Sequence, residues 1–268
     1  MDTILPPTTQ DTASAAPIWP AKFRAAAIHL SISAGLFAVF LYLTLAIWYP
    51  GHFFSVDGGW EGLQIMAVVD LILGPSPTLI VFNPRKKRRE IALDLALIGL
   101  FQLGALAWGA AMVYQQRPVA VVEYQGNFRS LTVDLLDTQH KTLSDLTPLG
   151  TSRPFIHVNP PRDAEEQSKV FLSLLNDGLD PAFQFSAFSA FVPSYAQIRQ
   201  YRVAIDDLVT KHPAIKNAVE AFSETNKGQI GEYDFYKFSG RYRDALVAFK
   251  QDGTIIGSVT FAEPERIP

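Results

Sequence analysis

Two acids and one amide stand where the chain is otherwise greasy, and they set the first chemical question. Asp70 falls inside "VVDLILGPSPTLIVF", Asp94 inside "EIALDLALIGLF", and Gln102 eight residues further on. A carboxylate in an apolar helix is costly unless it is paired, hydrated or neutral, so each such acid is a candidate for function. Counted from the helix end, Asp70 lies on the order of 18 Å deep, and Gln102 falls at similar depth. The pair therefore predicts a hydrogen bond between the Gln102 amide and a protonated Asp70 carboxyl. Its alternative role is a polar clasp between two helices. Asp94 lies one turn from the block Arg85, Lys86, Lys87, Arg88 and Arg89, which predicts a boundary ion pair with Arg88 or Arg89. His29 stands at comparable depth to Asp94, and a proton relay is the alternative for that group.

Backbone chemistry points to the same place. Pro75 and Pro77 each lack an N–H, which leaves the carbonyls of Leu71 and Leu73 without their helical donors. Together with Gly74 they predict a kink or local unwinding just after Asp70. Broken backbone at membrane depth is tolerated where protein or water covers it. The bend therefore faces a helix, of this chain or of a partner, and a plain packing kink is the alternative. Asp70, Gly74, Pro75, Pro77 and Gln102 form the candidate partner-binding site.

Other chemistries find no footing. The chain has no cysteine, which excludes disulfides, thiolate metal sites and a cysteine nucleophile. G-x-S-x-G, H-E-x-x-H and a glycine-rich phosphate loop are all missing. His157 and His212 read as isolated surface or packed histidines. No catalytic residue, metal ligand or cofactor is expected, and the chain reads as a non-enzyme. The basic block is tied between two apolar stretches in a chain of net charge −3, so nucleic acid is not an expected partner. Cations in a short loop mark the cytoplasmic side and attract anionic lipid.

The elements that position these residues follow from hydropathy. Three stretches, about 25–48, 62–82 and 91–114, are long enough to cross a bilayer as helices. Residues 1–22 read as a disordered cytoplasmic tail, 23–115 as a three-helix transmembrane region, and 116–268 as an α+β domain on the far side. The first stretch reads as a retained helix, being longer than a signal core. Trp48, Tyr49, Trp60 and Tyr114 lie at the outer boundary, where amphipathic rings prefer to sit.

Within the domain, "PVAVVEYQGNFRSLTVDLL" predicts a hairpin about Gly126-Asn127, and "DALVAFKQDGTIIGSVTF" a second about Asp252-Gly253. "RPFIHVNPP" reads as a short strand. "DAEEQSKVFLSLLNDG" carries an N-cap at Asp163 and a stop at Gly178. Helices are expected over 195–212 and 213–223. Strand order cannot be read from the pattern.

Taken together, "WYPG", "VDLILGPSPTLIVFNPRK" and "EIALDLALIGLFQLGALAWG" resemble the bacterial type IV pilin accessory proteins of the TfpX/TfpZ kind. The likeness spans the three apolar stretches, continues weakly to "RPVAVVE" and "GRYRDALVAF", and leaves about 160–230 unmatched. The matching positions are Tyr49, Pro50, Gly51, Asp70, Gly74, Pro75, Thr78, Phe82, Pro84, Arg85 and Asp94, while Ser76 with Pro77 varies the pattern. The resemblance implies a protein of the bacterial inner membrane, and the cations of the basic loop and of Lys22 and Arg24 orient its several passes with the N-terminus cytoplasmic and the C-terminal domain periplasmic. Its implied role is that of a chaperone that stabilises a cognate major pilin and promotes its assembly, with the pilin, other pilus assembly components and membrane lipids as partners. A groove beside the bend would receive the pilin helix while the outer domain contacts its head. The alternatives are a proton-coupled or channel-like membrane component using Asp70, and a periplasmic sensory subunit.

Overall fold

The computed structural model describes residues 17–51, 53–150, 152–191 and 195–261. Among the described residues three helices are long and apolar enough to cross a membrane: Trp19–Trp48, Gly59–Val81 and Arg88–Gln115. The tail expected over 1–22 lies outside the described residues as far as residue 16, and the first helix already begins at Trp19. The described residues fall into two compact units, Met1–Leu36 with Ala67–Ala105 and Phe37–Met66 with Leu106–Pro268.

In the first unit the second span bends where the prolines require it. An α-helix over Gly59–Ala67 widens into a π-helix over Val68–Leu73, then resumes as Pro75–Val81 with Pro75 at its start. A proline costs least in a helix's first turn, where its missing N–H has no partner to lose. The third span is regular and buries no residue, and Phe101 is 85% exposed. A helix apolar all round requires lipid or another apolar surface around it.

The second unit is built on one mixed sheet. Its strands are β1 Pro118–Tyr124, β2 Asn127–Thr132, β3 Phe155–Val158, β4 Phe188–Ala190, β5 Tyr233–Ser239, β6 Asp244–Lys250 and β7 Ile255–Thr260. Their order is β4-β3-β1-β2-β5-β6-β7. β1 is parallel to β3 and β2 to β5; the other neighbours are antiparallel. The first hairpin turns on Gln125-Gly126, one residue earlier than expected, because a two-residue turn of this hand needs both central residues at positive φ. Gln125 has φ 51° and Gly126 φ 79°, and Asn127 already pairs with Tyr124. The buried Glu123 carboxylate accepts the Gly126 N–H at 2.6 Å, which fixes that register. The second hairpin turns at Asp252-Gly253 as read.

Helices cover one face of the sheet. Ile205–Lys211 and Pro213–Thr225 place Leu208, Ile215 and Val219 over β5, β6 and β7, while Leu136 and Leu146 cover β1 and β3. The helix expected over 195–212 is broken, with a turn of α-helix at Tyr195–Ile198 and a 3-10 turn at Arg199–Tyr201 before Ile205. On the other face Phe128, Phe191, Tyr236 and Phe249 form an aromatic cluster with Tyr195. Tyr49, Phe53 and Val56, from the connection between the first two spans, complete that core. What read as an outer loop is therefore a wedge under the sheet. The helix Ala164–Asp177 has the expected cap, with Asp163 accepting the N–H groups of Glu165 and Glu166 at 2.9 and 2.8 Å. Gly178 ends it at φ 66°, the left-handed stop that glycine adopts without strain.

Candidate functional site

The second span sorts its side chains at intervals of four. Asp70, Gly74 and Thr78 are buried, whereas Val68, Ile72, Ser76 and Ile80 are exposed. Residues four apart share a helix face, so the polar and small residues form one stripe and the opposite stripe is apolar but for Ser76.

The buried stripe meets Gln102. Gly74 donates its N–H back five residues to the Val69 carbonyl at 3.0 Å, and Pro75 has no N–H to give. The Asp70 carbonyl is thereby left without either helical donor, and Gln102 Nε2 donates to it at 3.3 Å. This corrects the expected bond: the amide meets the main chain of Asp70, not its carboxyl. Both Asp70 carboxyl oxygens are buried and make no hydrogen bond among the described residues, with Asp70 2% exposed. Gly74 must lack a side chain here, since a Cβ would lie 2.5 Å from Gln102 Nε2 and 2.7 Å from its Oε1.

From Gln102 the network runs to the first span. Its Oε1 lies 2.6 Å from His29 Nε2, its Nε2 donates to Ser33 Oγ at 3.0 Å, and His29 Nδ1 lies 2.6 Å from Thr78 Oγ1. An imidazole protonated on Nε2 is consistent with all of these contacts: Thr78 donates to His29, His29 to Gln102, and Gln102 to Ser33 and to the Asp70 carbonyl. His29 thus belongs to this cluster and not to the Asp94 boundary group. The sequence signal for it was the i,i+4 pair His29 and Ser33 within an apolar run. The arrangement is a clasp joining all three spans at the bend.

Asp94 pairs with Lys86 at 2.6 Å instead of Arg88 or Arg89. The third helix starts at Arg88, so Arg88 and Arg89 occupy its first turn and lie six and five residues before Asp94, off its face. Lys86 precedes the helix and can fold back. Cations at a helix N-terminus oppose the macrodipole, so helix stability does not explain the position of Arg88 and Arg89. Arg85 offers its backbone N–H to Asn83 Oδ1, closing the turn that holds the block.

In the second unit the sequence missed a set of groups around the connection between the first two spans. Asp57 Oδ2 accepts from Ser130 Oγ at 2.5 Å and Oδ1 from the Arg241 N–H at 3.3 Å. Burial pushes the Asp57 carboxyl up to about 6, against the smaller opposing pull of Ser130 and Arg241. Tyr49 donates to the Val113 carbonyl at 3.0 Å, and burial first and Asp57 second raise its phenol. His157, read as isolated, pairs through Nδ1 with Glu123 at 2.5 Å and ties β1 to β3. His212 joins the helices Ile205–Lys211 and Pro213–Thr225. Among the described residues no three His, Asp or Glu side chains are grouped to hold a metal ion.

Apolar spans followed by a sheet domain, with a polar clasp at a proline bend, define a membrane-associated protein. Comparison with known proteins carries this further. Over 105 residues the chain is 32% identical to the fimbrial assembly protein of serogroups C1 and C2 from Dichelobacter nodosus, covering 39% of this chain and 80% of the relative. The serogroup I fimbrial assembly protein is 28% identical over 176 residues, 65% of this chain and 68% of the relative. The serogroup E1 protein is 28% identical over 160 residues, 59% of each. This chain belongs to the fimbrial assembly protein family. No family model and no solved structure matches it.

Proposed function

We propose that this protein is a non-enzymatic accessory factor for a cognate type IV pilin of the kind represented by TfpX and TfpZ, stabilising that pilin in the cytoplasmic membrane and promoting pilus assembly. Membership of the fimbrial assembly family supports the pathway. The division of the second span into two stripes carries the mode of action.

A pilin awaiting assembly must keep an apolar helix in the membrane. In the proposed arrangement Asp70, Gly74 and Gln102 hold the bend from inside, Pro75 and Pro77 break its hydrogen-bond ladder, and the opposite stripe receives the client helix. Ile72 and Ile80, 59% and 74% exposed, flank the short side chain of Ser76 on that stripe, a step into which a client side chain can seat. The basic loop faces the cytoplasm, which puts the sheet domain in the periplasm beside the pilin head.

Photocrosslinkers at Ile72, Ser76 and Ile80 should capture the pilin helix, whereas one at Leu93 on the third span should not. Deleting the gene alone should lower the pilin level and the number of surface pili. Normal pilin and normal pili after deletion would refute the reading, and labelling that spares the pilin helix would refute the docking stripe.

A further inference from the structure

Where the first and third spans join the sheet domain, all within the second unit, a cleft of about 810 Å³ opens. Ile47 and Trp48 line it from the end of the first span, Tyr114 and Arg117 from the end of the third, and Leu146 and Arg153 from the domain. Its charge is one-sided. Four other arginines of the unit have carboxylates: Arg129 has Asp180, Arg199 and Arg202 share Asp234, and Arg243 lies 3.8 Å from Glu61. Arg117 and Arg153 form no ion pair among the described residues.

Both guanidiniums are held by neutral groups. Arg153 donates from Nε to the Pro118 carbonyl at 3.0 Å and from Nη2 to those of Ile47 and Trp48 at 2.5 and 3.4 Å. Arg117 donates from Nη1 to the Tyr114 carbonyl at 2.7 Å and stacks on the Tyr114 ring at 3.5 Å. These contacts leave guanidinium N–H donors over in each. Burial, and after it the charge of Arg117, lower the pKa of Arg153, so the two cations repel in a partly dry site. The backbone brings Arg153 there under strain, with Ser152 at φ 47° and Arg153 at φ 64°, a region that non-glycine residues rarely occupy.

The position of the cleft selects the anion. Trp48 and Tyr114, ring to ring at 5.4 Å, sit at the ends of apolar spans, the level at which headgroups lie. Guanidinium forks match the paired oxygens of a phosphodiester, and Ile47, Trp48 and Leu146 offer apolar walls beside it. We infer that the Arg117–Arg153 cleft is a binding site for the phosphate of an anionic phospholipid, which fills the charge the protein leaves uncompensated.

The test uses the full chain released from membranes into detergent and exchanged with defined lipid. Native mass spectrometry should show one phosphatidylglycerol retained and phosphatidylcholine lost. Arg117→Gln with Arg153→Gln should cut retention at least about tenfold, as for loss of charge-assisted bonds. Arg117→Lys, which leaves the Arg153 contacts intact, should cut it less. A variant with Lys87→Gln, Arg88→Gln and Arg89→Gln in the basic loop should retain the lipid as the natural chain does. Equal retention of the two lipids by the natural chain, which needs no variant to fold, would overturn the assignment. Retention unchanged in a folded double variant would do the same, and so would displacement of the lipid by millimolar inorganic phosphate, which would make free phosphate the ligand.

Discussion

Replacing Asp57 by Asn isolates a carboxyl outside the spans that burial perturbs strongly. In the folded chain its pKa is pushed up from 3.8 to about 6, chiefly by burial. The folded state therefore binds the Asp57 proton more tightly than the unfolded state does. The resulting stabilisation is fully present below pH 3.8 and is lost as pH rises through about 6. A displacement of about two units corresponds to up to about 3 kcal/mol. Asn keeps the geometry: its carbonyl can accept the Arg241 N–H, and its amide can donate to Ser130 Oγ, whose own proton then turns away. Thermal unfolding of the full chain in detergent, measured between about pH 4 and 7, should show the natural protein losing stability across that window more steeply than Asp57→Asn. Groups that titrate in both proteins cancel in the difference. Equal slopes, or a natural chain that gains on the variant as pH rises, would refute the claim that this carboxyl is held protonated by burial.

Three further outcomes follow from single contacts. Gly74→Ala drives a methyl carbon to 2.5 Å from Gln102 Nε2 and should cost about 1–3 kcal/mol, as overpacking does; unfolding in detergent checks it, and Gly74→Ala with Gln102→Ala should recover part of the loss. Phe128→Ala empties a fully buried ring site among Phe155, Phe191, Tyr236 and Phe249 and should destabilise the sheet domain by about 3–5 kcal/mol, read by denaturant unfolding. Asp163→Ala removes an acceptor for two N–H groups of a helix that buries no residue; it should cost about 1 kcal/mol, and hydrogen exchange should rise in Ala164–Asp177 with little change in the sheet.

Local features were legible in the sequence because a single element carries their cause. Apolar runs mark the spans, and Asp163 and Gly178 bound their helix through their own backbone chemistry. Matching depths also brought Gln102 to Asp70, but which oxygen it meets depends on a π-helical register that hydropathy does not encode. β5 went unread for a related reason. Its sequence, "YDFYKFS", places Asp234 and Lys237 in a central strand, where unpaired charge would be excluded. Tyr195 and Arg199 satisfy Asp234 at 2.9 and 3.2 Å, and Asp244 lies 3.6 Å from Lys237; of these only Asp244 lies within ten residues of its partner. The wedge of Tyr49, Phe53 and Val56 was hidden likewise, since a short aromatic connection between two spans has no periodicity to show that a sheet will cover it.

The contrast between the two stripes of the second span bears on how a client would be recognised. At the bend Thr78 and the Asp70 carbonyl meet partners from the first and third spans of the same unit, and the Asp70 carboxyl is buried on that side as well. The one outward hydroxyl, Ser76 Oγ, is turned back onto the Ile72 carbonyl at 2.6 Å. A helix docking on the side chains of the outer stripe thus meets methyl groups and a hydroxyl whose proton is already given to Ile72. Under the proposed function, selection of one pilin over another at this level rests on the fit of side chains into the step between Ile72 and Ile80. Enlarging that step with Ser76→Ala should be tolerated, and filling it with Ser76→Leu should lower the pilin level without disturbing the inward clasp. Discrimination by charge then falls to the sheet domain, which carries the charged side chains that the outer stripe lacks.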